Sequence, residues 1–231
     1  MRSVAKHIIR RVLGALGCEI YRVPRRSRRL FLKKPVMPAG AKLNVGCGRK
    51  TREGHLGCDV RPLETVDLVC RAWEVPDHCR NLAEIYSRHM LEHLALAEAD
   101  YTLHQWFRAL AVGGRVHVIV PYLPYHIEQY RRAVWSEDEW ADGFSDARAG
   151  ICGIFGWQSE CDPTAANYGG NYWDVHKTGF DERLMTFLLG RAGFEEIQCT
   201  VEDRCHLVAR AVRRRERCEP FVPLPRRKQA A

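Results

Sequence analysis

The chain has 231 residues, 46% of them hydrophobic, and a net charge of +8. This is enough chain for a sizeable core in one large or two small domains, and no apolar run reaches the roughly 18 residues of a membrane span. The charge is divided: residues 1–42 carry +11 and residues 210–231 carry +6, which leaves −9 on residues 43–209, and an acidic middle argues against a nucleic-acid enzyme, whose site usually lies on a basic face.

In chain order, the first pattern is helical. Val4, Ile8, Ile9, Val12, Leu13 and Leu16 recur at helical spacing, with Arg2, Lys6, Arg10 and Arg11 mostly on the other side and Gly17 as a stop. Such a basic amphipathic helix either packs on the domain or lies on an anionic membrane surface. It is also acid-poor like an organellar transit peptide, though poor in serine. Residues 22–42, basic and broken by Pro24, Pro35 and Pro38, read as a linker.

From residue 42 the rhythm becomes strand, turn, helix. Strands are expected at 42–47, 55–60, 67–70, 82–86, 115–121, 195–201 and 206–213. The clearest helices cover 96–110, with Leu96, Leu103, Trp106, Phe107 and Leu110 on one face, and 181–191. The second has Asp181 as N-cap, Leu184, Phe187 and Leu188 inward, and Gly193 as its stop. The alternation predicts a Rossmann-like α/β domain over 43–213: a doubly wound, mostly parallel sheet of about seven strands with helices on both faces. Residues 214–231, basic and Pro-rich, are expected to be a disordered tail. The ten cysteines form no C-x-x-C pair, so no metal site is expected. No secretory signal with an apolar core and small-residue cleavage site is expected, and a reducing cytoplasm suits cysteines that read as small buried hydrophobes.

Two short stretches carry the chemistry. LNVGCG ends the first strand in Gly46 and Gly48, where backbone without a Cβ can approach a ligand closely. HLGCDV ends the second strand near Asp59. The dinucleotide fingerprint fails because Thr51 stands at its third glycine, and the phosphate loop G-x-x-x-x-G-K-[ST] is absent. An acid at the end of strand two suits a ribose diol, which offers two hydroxyl donors to one carboxylate. The ligand therefore reads as a nucleoside such as S-adenosylmethionine.

On these residues the chain resembles the class I S-adenosylmethionine-dependent methyltransferases, over roughly residues 43–213. LNVGCG looks like their first motif and Asp59 like the ribose-binding acid. AEIYSRHMLEHL (83–94) is similar to the fourth-strand segment of a subgroup with an L-E-H-L signature. WFRALAVGGRV (106–116) resembles the helix and Gly-Gly turn that feed strand five, and VHKTGFDERLMTFLLGRAGFEEI (175–197) the last helix and its turn. Similar sequences are bacterial methyltransferases of surface-polysaccharide or small-molecule biosynthesis. The resemblance implies cofactor contacts from Asn44, Gly46, Cys47, Gly48, Asp59, Arg71, Ala72 and His89. Two positions depart from the family: Asn44 stands where the first motif starts with an acid, and Arg71 where an acid is often near the adenine amine, so backbone at Arg71 or Ala72 would have to read the adenine.

Residues 135–175 form an insertion rich in aromatics: Trp135, Trp140, Phe144, Phe155, Trp157, Tyr168, Tyr172 and Trp173. They are either the wall of an acceptor site or a small core under the insertion. A hydroxyl acceptor needs a base, and histidine is the usual one. His89, just after strand four, and His176, after the aromatic segment, are the first candidates. His93 of L-E-H-L is a third, with a buried structural role as its alternative; His126 also lies in reach of the sequence argument, and Glu92 is expected to cap or pair locally. The expected function is O-methylation of a small or glycan-linked acceptor in the cytoplasm, with peripheral membrane contact through the basic helix as an addition. A cofactor-binding module without activity and a nucleic-acid methyltransferase are the rivals.

Overall fold

The computed structural model describes residues 38–216 and 218–224. The basic helix and most of the linker expected before residue 38, and the tail from residue 225, lie outside the described residues. Among the described residues no helix is long and apolar enough to cross a membrane.

Among the described residues seven strands form one sheet: β1 (Lys42–Val45), β2 (Leu56–Asp59), β3 (Leu68–Val69), β4 (Leu82–Arg88), β5 (Leu110–Pro121), β6 (Glu195–Glu202) and β7 (His206–Val212). Their order is β3-β2-β1-β4-β5-β7-β6. The first five run parallel, and β7 pairs antiparallel with both β5 and β6. This is the Rossmann-like, mostly parallel open sheet that the alternation of patterns implies. The β6–β7 reversal is made by Asp203 and Arg204, both at positive φ, as tight hairpin turns require.

The α-helices of the described residues are α1 (Val75–His78), α2 (Leu96–Ala109), α3 (Leu123–Arg132), α4 (Glu137–Ala141), α5 (Asp146–Phe155) and α6 (Glu182–Ala192). Leu103, Trp106 and Phe107 of α2 and Met185, Leu188 and Leu189 of α6 are buried with Leu43, Val45, Ile85, Val116, Val118 and Leu207 of the sheet. That continuous apolar layer is the dominant stabilising term. Trp106 meets its polar need by donating Nε1–H to the Ala72 carbonyl at 2.9 Å. α6 is capped as its sequence requires, Asp181 accepting from the Leu184 amide at 2.7 Å and Gly193 adopting φ +99°. Two inward assignments are corrected. Leu96 and Phe187 are exposed, because the buried stripe of α6 runs through Met185, Leu188, Leu189 and Ala192, one position off Phe187, and Leu96 lies on the first turn of α2.

The other side of the sheet is polar over β4 to β7. Glu84, Arg115, His117, Gln198 and Arg210 line an open depression of about 360 Å3. Residues 46–55 and 60–67, the connections β1–β2 and β2–β3, contain no helix. The C-terminal segment expected to be disordered is placed as far as residue 224. His104 Nε2 lies 2.7 Å from the Glu219 carbonyl, Phe221 packs edge-on against Tyr101, and Arg191 donates to the Val222 carbonyl at 2.6 Å.

Candidate functional site

The strand order reverses direction between β1 and β4, and the carboxyl ends of strands at such a switch point are where open α/β sheets hold ligands. The glycine turn stands there. Gly46 and Gly48 adopt φ +72° and +55°, a region that costs other residues about 1–2 kcal/mol. The Gly46 and Cys47 amides donate to the Cys58 carbonyl at 2.8 and 3.1 Å. The turn is thereby stitched to β2. A Cβ on Gly46 would stand 2.2 Å from Met90 Cγ, so close approach is used first by the chain itself. Asn44 is buried and donates through Nδ2 to the Lys50 carbonyl at 3.4 Å, which ties the strand to the far side of the turn. Cys47 is a packed thiol: burial and the nearby Asp59 push its pKa up to about 11, far from nucleophile chemistry.

Asp59 is buried at the end of β2 beside the turn. Oδ2 accepts from the Gly48 amide at 2.9 Å, and Oδ1 accepts from Arg61, from its amide at 2.9 Å and its Nε at 3.2 Å. The Arg61 guanidinium continues to Glu160 of the insertion at 3.5 Å. Sequence reasoning missed both Arg61 and Glu160. At Arg71, the amide donates to Glu74 Oε2 at 2.9 Å, and the Ala72 carbonyl is the acceptor for Trp106. Glu74 therefore brings a carboxylate to the turn after β3 that Arg71 itself cannot supply. Its only sequence signal is its place three residues on, at the end of a 3-10 turn (Ala72–Glu74).

A cluster of histidines stands at the end of β4. His89, at φ +52°, presents Nδ1 to Glu92 Oε1 at 3.2 Å, and its side chain is 37% exposed. Glu92, expected to cap or pair locally, is 1% exposed. His93 Nδ1 lies 3.1 Å from the Val175 carbonyl, His176 Nδ1 lies 3.0 Å from the Gly153 carbonyl, and the two rings meet edge to face with centroids 5.0 Å apart. The His89 and His206 rings meet likewise at 5.1 Å. Burial, with help from His93 and His89, holds the His176 imidazole below its ordinary pKa, and burial does the same to His126 and His206. His126 bonds Gln129 Oε1 at 2.9 Å. His89, His93 and His176 are thus brought together, from segments that the Lys177 and Thr178 amides tie by donating to the Glu92 carbonyl.

All eight aromatics of the insertion are exposed, from Trp173 at 38% to Phe144 at 95%. They do not form a core. Arg148 stands over the Trp140 and Trp157 rings at 5.7 and 5.9 Å.

No family model matches the chain, and no curated protein sequence does. Solved structures match in fold at low identity. An S-adenosylmethionine-dependent methyltransferase from Archaeoglobus fulgidus is 14% identical with a TM-score of 0.46, over 81% of this chain and 91% of that one. A TehB-like S-adenosylmethionine-dependent methyltransferase from Corynebacterium glutamicum is 18% identical with a TM-score of 0.41, over 91% and 96%. Phosphoethanolamine N-methyltransferase 2 of Haemonchus contortus, solved with S-adenosylmethionine, is 12% identical with a TM-score of 0.43, over 86% and 55%. The chain spans between 55% and 66% of the length of the first three structures it matches. At these identities and scores none of them bears on what this chain acts on.

Proposed function

We propose that the chain is a methyltransferase that takes its methyl group from S-adenosylmethionine and delivers it to a hydroxyl of a small-molecule or glycan acceptor. The observation that carries the reading is the bond from the Gly48 amide to Asp59 at the switch point of the sheet. It places a bare backbone turn beside a buried carboxylate. The segment after the turn is a loop, with no helix N-terminus to hold a pyrophosphate, so a nucleoside with a ribose diol fits better than a dinucleotide. The resemblance of residues 43–48, 83–94, 106–116 and 175–197 to the methyltransferase family points the same way.

His89 is the best-placed base. Glu92 holds its Nδ1, its exposed ring can reach a bound acceptor, and His93 and His176 are instead turned toward one another. The acceptor hydroxyl gives its proton to His89 Nε2 as its oxygen bonds the methyl carbon. The carbon–sulfur bond breaks with its electron pair passing to sulfur, which leaves S-adenosylhomocysteine. In-line placement supplies most of the rate, and the base adds about 10²–10⁴. The exposed aromatics of the insertion give the acceptor flat apolar walls between acids, which suits a sugar face. The basic residues 4–16 suit peripheral contact with an anionic membrane surface, which co-sedimentation with anionic and neutral vesicles tests.

Calorimetry with S-adenosylmethionine and S-adenosylhomocysteine tests the cofactor reading. Wild type is expected to bind both, and a folded Asp59→Ala variant to lose about 1–3 kcal/mol of affinity. Absence of binding by wild type overturns it. A cofactor-binding module without transfer is the second reading, motivated by Asn44 and Arg71, which stand where the resembled family carries acids and bond locally instead. Donor binding without turnover of any acceptor in a glycan and small-hydroxyl panel would select it.

A further inference from the structure

The pairing of His93 with His176 leaves a chemical residue that the methyl-transfer reading does not use. A main-chain carbonyl can only accept a hydrogen bond. The contacts of His93 Nδ1 with the Val175 carbonyl and of His176 Nδ1 with the Gly153 carbonyl therefore put the proton of each neutral ring on Nδ1. Each Nε2 is left as a lone pair. A metal-binding imidazole is commonly fixed in this way, its far N–H donated to a carbonyl or carboxylate.

The third member is Glu92. It is 1% exposed, and one oxygen takes His89. The other, Oε2, is buried with no hydrogen-bond partner among the described residues. An unpaired buried carboxylate oxygen carries a large desolvation cost, so a ligand for it is the expected complement. One ligand atom from each of Glu92, His93 and His176 can be taken with all three within 4.8 Å of one another. Ligands on one ion at about 2.1 Å stand closer together than this, so binding would draw the three side chains inward.

We propose that Glu92, His93 and His176 bind one divalent first-row transition cation through two imidazole nitrogens and a carboxylate oxygen, with a coordination position left open. Two nitrogens and one oxygen suit zinc, iron(II) or manganese(II), whereas magnesium and calcium favour oxygen alone. Three protein ligands with an open place is the pattern of reactive rather than structural sites. The site joins the L-E-H-L turn after β4 to the segment returning from the aromatic insertion, and the Lys177 and Thr178 amides donating to the Glu92 carbonyl fix that junction. If the methyltransferase reading holds, a cation that took an acceptor hydroxyl at its open position would lower that hydroxyl's pKa. The cation site itself does not depend on that reading.

The test uses full-length, untagged protein stripped with a chelator and dialysed. Titration with zinc, manganese and magnesium chlorides by calorimetry is expected to show one tight site for zinc or manganese and at least tenfold weaker binding of magnesium. Cobalt(II) is expected to give visible d–d bands of a nitrogen–oxygen site without the near-ultraviolet charge-transfer band of a thiolate ligand. His176→Ala and Glu92→Gln are expected to lose at least tenfold in zinc affinity. Zinc should raise the melting temperature of wild type but not of Glu92→Gln, with far-ultraviolet circular dichroism reporting that each variant folds. If His176→Ala fails to fold, the Glu92→Gln titration alone decides. Stripped wild type that binds no zinc or manganese overturns the proposal, as does zinc binding equal in wild type and Glu92→Gln, or a cobalt spectrum with thiolate ligation. Donor affinity measured on the stripped protein keeps the two readings apart, since its loss would sink the cofactor reading and leave the cation site standing.

Discussion

Arg61 donates twice to one oxygen of Asp59, from its main-chain N–H at 2.9 Å and from Nε at 3.2 Å. The same carboxylate is the proposed grip on the ribose of the donor. With Gly48 on Oδ2, three of its roughly four acceptor sites are taken, so the Arg61 side chain competes with one ribose hydroxyl. It is 35% exposed, and such a pair is worth about 0–1 kcal/mol. Arg61→Ala is therefore expected to bind S-adenosylmethionine as tightly as wild type or up to about fivefold more tightly, by calorimetry. An affinity loss above tenfold would make Arg61 part of the binding surface instead.

Gly46 answers two demands at once, a φ of +72° and a Cβ position 2.2 Å from Met90 Cγ. Gly46→Ala is expected to lose about 2–4 kcal/mol of stability in urea unfolding, from the left-handed backbone and from overpacking. Gly46→Ala with Met90→Gly should lose no more from the clash yet keep the backbone term, glycine being needed because Met90 Cβ itself stands 2.5 Å from the added Cβ. A double-mutant cycle measures this as a favourable coupling. Additive losses would place the whole penalty in the backbone.

Asp100, 2% exposed on α2, is held by Arg191 of α6 through Nε at 3.2 Å and Nη2 at 3.1 Å. Removing one member of such a pair strands a charge, at a cost of about 3–5 kcal/mol when both are buried. Arg191 is 27% exposed, so Arg191→Met is expected at the lower end, about 3 kcal/mol, and Asp100→Leu with Arg191→Met to recover most of it. Chemical denaturation of the three proteins checks the order.

Acid should destabilise the domain before its carboxylates titrate. Burial, then Arg210 and Arg52, hold the His117 imidazole below its ordinary value of 6.5, against the opposing pull of Glu84 and Glu202. Burial likewise holds His126 down. A folded pKa below the unfolded one means that the unfolded chain takes the proton first. Stability is full above about pH 6.5 and is lost as pH falls from there through the folded values. Urea midpoints from about pH 7.5 to about pH 5 should fall in wild type. His117→Leu, which also removes a buried Nε2 without a partner among the described residues, should flatten that limb. A limb of unchanged slope in His117→Leu would remove His117 from the account.

What the sequence made legible follows from how local each signal is. The seven strands announce themselves as short apolar runs between turns, and Asp181 and Gly193 bracket α6 by capping chemistry within one turn of helix. The glycine turn and Asp59 were visible because each ends an apolar strand. Arg61, Glu74 and Glu160 were not, because their roles depend on which way a side chain folds back onto the turn. Glu92, His93 and His176 illustrate the same limit. Two are adjacent in sequence, but the third arrives from beyond the insertion, and only the fold puts the three ligand atoms together. Phe187 was misplaced because an apolar residue one position off the stripe looks, in sequence, like part of it.

The aromatic insertion separates its two readings by stability alone. A core aromatic cut to alanine costs about 3–5 kcal/mol, whereas an exposed one away from special features costs within about 0.5 kcal/mol. Trp157 and Tyr172 are 61% and 66% exposed. The Arg148 guanidinium stands over the Trp157 ring at 5.9 Å from its centroid, a cation–π pair worth about 0.5–1 kcal/mol at such a site. Trp157→Ala and Tyr172→Ala are therefore expected to unfold within about 1 kcal/mol of wild type. Their donor affinity should also be unchanged, because Gly48 and Asp59 lie on other elements. Under the acceptor reading both variants should raise KM for the acceptor about tenfold or more while kcat holds, because exposed rings free of the core are available to a partner. A loss of 3 kcal/mol in either variant would return these rings to the role of a core. Unchanged stability together with an unchanged KM would move the acceptor away from the insertion and toward the exposed face of His89.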